Sequence, residues 1–280
     1  MSTSHSSSQI RKPAVAGMFY PDSPSSLKAM INDFMAKAEE QAIDGKLVAL
    51  IVPHAGYMYS GQVAAYAYKQ IKQHFDIVVL IGVSHRAPVR GASVLRSGAY
   101  ETPLGAVSID SDLVEELVSQ SNIFGSSPSA DAIEHSLEVQ VPFLQVVLSD
   151  FRIVPILIGH WSESLCSDIA EALAKSIKDK NVLIVASTDM SHYHSYKEAV
   201  SMDDIALTSI KRMDELQLMD DLSSGEAELC GAGPVIAALM FAKKLGADGI
   251  KLLKYANSGD VTGDKSSGVV GYFAAAIYQT

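Results

Sequence analysis

The sequence predicts one α/β domain over residues 10–280, with a largely parallel or mixed central sheet covered by helices on both faces. Short β-branched apolar runs alternate along the chain with stretches of helical periodicity, as in βαβ units. The apolar runs lack polar alternation, which is typical of strands buried on both faces of a sheet. No Pro/Gly/Ser-rich linker or long charge run interrupts this range, so the length of 280 residues indicates a single domain.

Six strands are predicted, each from a short run of apolar and β-branched residues. In chain order they are Val48–Pro53, Ile77–Val83, Ile153–Gly159, Val182–Ser187, Ile250–Ala256 and Val269–Ile277. Helices are predicted where apolar residues recur with helical spacing. In chain order they are Ser25–Ala42, Gln62–Gln73, Ser111–Ser121, Ser136–Leu148, Ser164–Ile177, Glu198–Gln217 and Pro234–Leu245. Pro234 suits the first turn of the last helix, because that turn needs no proline N–H.

Composition limits the classes of protein to consider. Residues 1–9, MSTSHSSSQ, form a Ser-rich stretch that we expect to be a disordered tail, and it lacks the apolar core of a signal peptide. No run of 18 apolar residues occurs, so no membrane span is expected. The net charge of −10 argues against nucleic-acid binding. The two cysteines, Cys166 and Cys230, give no disulfide framework, and together with the missing export signal they favour the cytoplasm.

Histidines follow four of the predicted strands. His54, His85 and His160 come directly after strands, and His192 and His194 follow within a few residues of another. The carboxyl ends of parallel strands share one edge of a sheet, where sites form. We therefore expect these imidazoles to converge on a shared site, although each could also be an ordinary hydrogen-bonded loop histidine.

A histidine cluster suits metal binding or acid–base chemistry, because imidazole is a common ligand and titrates near neutral pH. Cys230, in ELCGAGP ahead of the Pro234 helix, is a second soft ligand whose thiolate a helix N-terminus would favour. A small core residue is the alternative interpretation of Cys230. Cys166 lies in an amphipathic stretch, where we expect it to fill the core.

Two further segments carry polar side chains suited to a pocket. In DAIEHSLEVQVPF, Glu134, His135 and Glu138 have the spacing to share one helix face, although an acidic first turn explains the carboxylates equally well. In YANSGDVTGDKSSG, Asn257 follows a predicted strand, although turn chemistry alone accounts for it. No GxxxxGK[ST], GxSxG or HExxH motif occurs, and CGAGPV lacks the third fingerprint glycine, so no nucleotide cofactor is expected.

Several longer motifs together resemble one known family. PHAGYMYSG, GVSHRAP, YETPLG, EHSLEVQVPFL, STDMSHY and the CG of LCGAGP occur in that order, with AVAGMFYP before them and YANSGD after them. This set resembles the Memo family, of the mediator-of-cell-motility type, from about residue 10 to the end. The acidic, short-looped chain is similar to prokaryotic members, known as protein B of the AmmeMemoRadiSam set. That similarity implies proteins of a radical-SAM system as partners.

The resemblance also implies a fold and a ligand set. Memo proteins are similar to LigB-like class III extradiol dioxygenases, in which two histidines and a glutamate hold non-haem Fe(II). His54 and His85 match the ligand histidines, and Cys230 stands in place of the glutamate. His192 matches the catalytic acid/base, with Asp189 beside it to orient the ring. A thiolate makes the donor set softer, which favours iron, copper or zinc over magnesium and argues against ring cleavage.

These implications lead to two hypotheses of different class. The first is a metal-dependent redox enzyme that uses Fe(II), or copper or zinc, on an unknown small substrate. The second is a non-enzymatic module that binds a phosphopeptide or another anion in the same pocket. A zinc-type hydrolase is a weaker third option. The remaining pocket residues expected are His135, Glu138, Tyr57, Ser84, His160 and Asn257.

Overall fold

A mixed β-sheet runs through the centre of the molecule, in a computed structural model that describes residues 10–280. The predicted disordered tail, residues 1–9, lies outside the described residues. The strands in the described range are β1 (Ile10–Arg11), β2 (Lys46–Val52), β3 (Ile77–Val83), β4 (Ala92–Val94), β5 (Ala99–Thr102), β6 (Gly105–Ser108), β7 (Phe124–Gly125), β8 (Arg152–Ile158), β9 (Val182–Ser187), β10 (His192–His194), β11 (Gly249–Asn257) and β12 (Val269–Gln279).

Helices cover both faces of this sheet. They are α1 (Pro24–Lys37), α2 (Tyr57–Tyr68), α3 (Ser111–Gln120), α4 (Pro128–Ile133), α5 (Val141–Val147), α6 (Glu163–Ser176), α7 (Tyr196–Lys211), α8 (Glu215–Ser224), α9 (Ala232–Lys244) and α10 (Ser258–Thr262). α2 packs on β2, β11 and β12 and is backed by α1 and α5, whereas α9 packs on β2, β3 and β9 and is backed by α6 and α8. In residues 10–280, no helix is long and apolar enough to cross a membrane.

The strand order in the main sheet is β10-β12-β2-β9-β3-β8-β4-β7, with β11 paired to β12, while β1, β5 and β6 form a separate small sheet. The four strands β2, β9, β3 and β8 are parallel, and β12 and β4 join them antiparallel. The α/β fold class with a parallel or mixed sheet is therefore confirmed, and the sheet is mixed. The four parallel strands end at one edge, where Val52 pairs with Ser187 and Val83 pairs with Ile158.

Burial explains why the strands were predictable. Every residue of β2 except the first is buried. The strands β3, β8 and β9 are each buried except for one terminal residue. Strands without a solvated face consist of continuous apolar residues, which the sequence shows directly. Each of the six predicted strands is present, within two residues at either end.

Two of the predicted helices are wrong as single helices. The segment from Ser136 to Leu148 contains a 3₁₀ turn, Glu138–Gln140, followed by α5, because Pro142 fits a first turn and not a helix interior. The segment from Glu198 to Gln217 divides into α7 and α8 at Met213, whose φ of 54° ends the first helix. The proposed common helix face of Glu134, His135 and Glu138 is lost with the first of these corrections.

Candidate metal centre

His54 follows the central strand β2 and is buried, with 1% of its surface exposed. Its Nδ1 lies 3.0 Å from Ser187 Oγ, and its Nε2 lies 3.2 Å from Cys230 Sγ. Burial, and then the neighbouring His85 and His135, hold the pKa of His54 well below its usual range. The ring is therefore neutral near pH 7, with Nε2 directed at the thiol sulfur.

His85 follows β3, which is parallel to β2 and separated from it by β9, and it is held by Glu134. Its Nδ1 lies 3.0 Å from Glu134 Oε1, and its backbone N–H donates to Oε2 at 2.6 Å. Burial alone would raise the pKa of Glu134, but hydrogen bonds from His85 and from the Ser136 N–H outweigh it and lower the pKa to about 2. A carboxylate that fixes one imidazole nitrogen leaves the other free, which is the usual arrangement around a metal-ligating histidine.

Cys230 provides the third donor, two residues before α9. Its Sγ accepts the Asp189 N–H at 3.2 Å. Burial, and then the charge of Asp189, raises the pKa of the thiol, so the expected gain from the helix N-terminus is outweighed here. Metals bind the thiolate form of cysteine. A cation that displaces the thiol proton would therefore offset the cost of burying the thiolate charge.

The ligand atoms of His54, His85 and Cys230 all lie within 4.8 Å of one another. Two metal–ligand bonds of about 2.0–2.3 Å at a tetrahedral angle separate their donors by roughly 3.5 Å. The three donors therefore fit a single metal ion after a small contraction, and this set of two imidazoles and one thiol suits iron, copper or zinc.

A second group of donors, His85, Glu134 and His135, is equally compact. Glu134 Oε1, however, already accepts the N–H groups of His135 and Ser136, and Oε2 accepts that of His85. These hydrogen bonds favour a role for Glu134 in orienting His85 as a member of the group His54, His85 and Cys230. His135 stacks on His85 with ring centroids 4.7 Å apart, and burial lowers the pKa of His135 to about 4.

His192 and Asp189 come from the segment after β9. His192 Nδ1 donates to the Met190 carbonyl at 2.7 Å, and Asp189 Oδ1 accepts the backbone N–H groups of His54 and Ala55 at 2.8 and 3.3 Å. The expectation that Asp189 orients His192 is therefore corrected, because the Met190 carbonyl occupies Nδ1. Burial raises the pKa of Asp189 to about 6, against the opposing effect of the His54 N–H.

A cleft of about 600 Å³ opens onto this cluster. Its polar lining consists of His54, His85, His135, His192, Asp189, Arg86 and Ser258, and its walls include Phe19, Tyr59, Tyr193, Val270 and Tyr272. Arg86 is exposed, and the arginines with carboxylate partners in residues 10–280 are Arg11 and Arg152. The cleft thus combines an aromatic wall, several imidazoles and one cation.

Comparison with known proteins identifies the family of the chain that carries this cluster. The Memo-like protein family matches residues 11–276 of the chain. The chain belongs to the Memo family. A MEMO1 family protein of Methanothermobacter thermautotrophicus, MTH_45, is 40% identical over 94% of this chain and 98% of its own length. A MEMO1 family protein of Methanobrevibacter smithii is 36% identical over 96% of this chain and all of its own length.

A solved structure shows the same fold at low sequence identity. The uncharacterized protein JW3007 from Escherichia coli K12 has a TM-score of 0.55 and 14% identity, covering 82% of this chain and 99% of that one. The mixed sheet with its flanking helices confirms the LigB-like fold expected of a Memo protein.

Glu138 of this Memo chain does not line the cleft, which corrects its expected place in the pocket. It is fully buried, and it accepts Arg11 Nη1 at 2.6 Å, the Tyr20 hydroxyl at 2.6 Å and the backbone N–H groups of Ala14 and Val15. All of these partners belong to the N-terminal segment, so the carboxylate is bonded to that segment and not to the cleft. Glu138 thereby fixes the segment that carries Phe19 into the cleft wall.

Four other expected pocket residues lie outside the lining of the cleft. The Tyr57 hydroxyl donates to the Val139 carbonyl at 2.6 Å, and the Ser84 hydroxyl donates to the Ala87 carbonyl at 2.7 Å. His160 is exposed in the turn after β8, and buried Asn257 caps α10. His194 also lies outside the lining, with its Nε2 2.8 Å from Glu228 Oε2. Of the five histidines expected to converge, the cleft therefore contains His54, His85 and His192.

The cleft walls of this Memo protein were missed at the sequence level. Phe19 and Tyr59 belong to the quoted motifs AVAGMFYP and PHAGYMYSG, and Arg86 belongs to GVSHRAP. The motifs were therefore the available signal, although spacing along the chain does not show which aromatic rings face a common space. The sequence-based expectation for Cys166, that it fills the core, agrees with its complete burial.

Proposed function

We propose that this Memo protein is a metal-dependent oxidoreductase that acts on a small organic substrate, with iron or copper bound by His54, His85 and Cys230. The supporting observation is the approach of these three donors to within 4.8 Å of one another beside a cleft of about 600 Å³. A redox-active ion with three protein ligands would supply electron transfer and open positions for substrate or O₂.

The protein groups around that position have separate tasks in this proposal. Ser187 and Glu134 fix the ring orientations of the two ligand histidines. His192 lines the cleft and, with Nδ1 bonded to Met190, has Nε2 free to take or return a substrate proton. The aromatic walls, which include Phe19 and Tyr272, would pack against an apolar part of the substrate.

The test is elemental analysis of protein purified without oxygen. We expect about one iron or copper ion per chain in the parent protein, and a loss of roughly tenfold or more in His54→Ala and Cys230→Ala. His160→Ala and Cys166→Ala are matched controls, since His160 is exposed and Cys166 is buried elsewhere, and both should keep the metal. Unchanged metal content in the ligand variants would contradict the proposal.

A second function, anion or phosphopeptide binding, is favoured by one observation: Arg86 lines the cleft without a carboxylate partner in residues 10–280. In this case metal-free protein would bind phosphotyrosine, measured by calorimetry, and Arg86→Ala would weaken that binding about tenfold. Absence of binding at millimolar phosphotyrosine would eliminate this alternative and leave the first proposal intact.

A further inference from the structure

Asp203 is a buried carboxylate on α7 that takes no part in the proposed metal site. It is 0% exposed, and within residues 10–280 no lysine, arginine or histidine forms an ion pair with it. Its Oδ1 accepts the backbone N–H of Ser191 at 3.1 Å, and its Oδ2 accepts the Tyr255 hydroxyl at 2.7 Å. A buried carboxylate without a cation opposes folding. The presence of Asp203 at this position therefore suggests a role other than stabilising the fold.

The Ser191 bond is one of three that pin the turn ahead of His192. The Met190 N–H donates to the Gly271 carbonyl at 2.8 Å, and the Gly271 N–H donates to the Ser191 carbonyl at 3.0 Å. Asp203 completes this set from α7. The Asp203 carboxylate also lies directly against β12 at Gly271. A Cβ at that position would be 2.1 Å from Asp203 Oδ2, so only glycine leaves room for the carboxylate.

This pinned turn sets the orientation of the His192 ring. The Met190 carbonyl accepts His192 Nδ1 at 2.7 Å, so the position of that carbonyl determines which ring nitrogen faces the cleft. The next residue, Tyr193, has a φ of 62°, which a tyrosine adopts only when its surroundings hold it. Without the Asp203 bond, the Ser191 N–H would lose its acceptor, and the turn would be held by its two hydrogen bonds to Gly271 alone.

We propose that Asp203, supported by Tyr255, is a positioning residue for His192: it fixes the Met190–Ser191 turn so that Nε2 of His192 faces the cleft. The inference rests on the proposed function only in giving His192 the role of proton acceptor. Asp203 acts from behind the turn and contacts neither the cleft nor the three metal donors.

The experiment observes the His192 tautomer directly, by ¹⁵N NMR of histidine-labelled, metal-free protein. In the parent protein His192 should be the Nδ1–H tautomer. In Asp203→Ala the ratio of Nδ1–H to Nε2–H tautomer should fall about fivefold or more, because one anchoring hydrogen bond is lost. Asp203→Asn should keep the parent signal, since its carbonyl accepts Ser191 N–H and its amide can donate to Tyr255.

Asp221→Ala is the control for general destabilisation. Asp221 is likewise buried, and it accepts hydrogen bonds from the Ser209 hydroxyl and the Gln217 amide, away from His192. Its loss should leave the His192 tautomer unchanged at a comparable loss of stability. If Asp203→Ala does not fold, Tyr255→Phe is measured in its place and should give a smaller shift in the same direction.

A parent-like His192 tautomer in Asp203→Ala, or in Tyr255→Phe where that variant stands in, would overturn the inference. The measurement uses metal-free protein, so a failure of metal binding in His54→Ala or in the parent leaves the tautomer result readable. The two proposals therefore fail independently.

Discussion

Glu134 is the residue that links the metal donors to the rest of the fold. Its oxygens hold both the ring and the backbone of His85, and they also accept the N–H groups of His135 and Ser136. This arrangement leaves His85 with a single free ring nitrogen. Metal affinity at the proposed site should accordingly depend on Glu134, a carboxylate outside the proposed ligand set.

We expect Glu134→Gln to weaken metal binding by about 10- to 100-fold, because an amide is a poorer partner for the His85 N–H and orients the ring less firmly. Competition with a chelator of known affinity measures the change. Glu171→Gln, an exposed glutamate on α6 that pairs with Lys244, is the matched control and should bind metal as the parent does.

Asp203 gives a pH-dependent prediction at the same scale. Burial raises the pKa of Asp203 above the usual 3.8 against the opposing hydrogen bonds, so ionisation opposes folding. Relative to Asp203→Asn, the parent should lose free energy of unfolding as the pH rises from 4 through the raised pKa. Urea denaturation across pH 4–8 measures this difference in the free energy of unfolding.

Among the elements, β1 contributes more than its two residues suggest, because Arg11 joins it to the segment that leads to Glu134. The guanidinium donates to the carbonyls of Asp131 and Glu134 and forms an ion pair with Glu138 at 2.6 Å, with both side chains almost fully buried. The segment between α4 and the 3₁₀ turn therefore depends on a strand far away in sequence.

Arg11→Met should lower the free energy of unfolding by about 3–5 kcal/mol, because it leaves the Glu138 carboxylate buried without a cation. Chemical denaturation measures the loss. The neighbouring Lys12 forms an exposed ion pair with Glu101, so Lys12→Met should change stability by less than about 1 kcal/mol. Equal losses in both variants would contradict the importance assigned to the buried pair.

Sequence reasoning succeeded where burial leaves a local pattern and failed where tertiary packing decides. β3 and β9 were predicted to the residue, since their apolar runs record burial on both faces. The strand-end rule also located His54 and His85 at one edge. Glu138 and Tyr57 were misplaced because their partners come from distant segments. The position of Cys230 ahead of a helix made it a candidate ligand, and the family motifs then placed it in the ligand set with His54 and His85.

At the scale of the molecule, the three proposed metal ligands come from distant parts of the chain. His54 and Cys230 are 176 residues apart, and His85 enters from a separate strand. A metal that binds only the folded arrangement stabilises it by linkage. Zn²⁺ at 100 times its dissociation constant should raise the free energy of unfolding by about 2.7 kcal/mol. Thermal denaturation measures the gain, which should vanish in Cys230→Ala and persist in Cys166→Ala.

The interior position of β12 has a consequence for biosynthesis. This strand, the last in the chain, lies between β2 and β10 and also carries β11. Until residues 269–279 have left the ribosome, the apolar strand β2 has one unpaired edge, and the turn before His192 lacks its Gly271 anchor. A chain in which β12 has not yet paired therefore leaves this edge of β2 open to association with strands of other chains. The contacts that hold the turn before His192 are consequently complete only after β12 has been synthesised, later than all three proposed metal ligands.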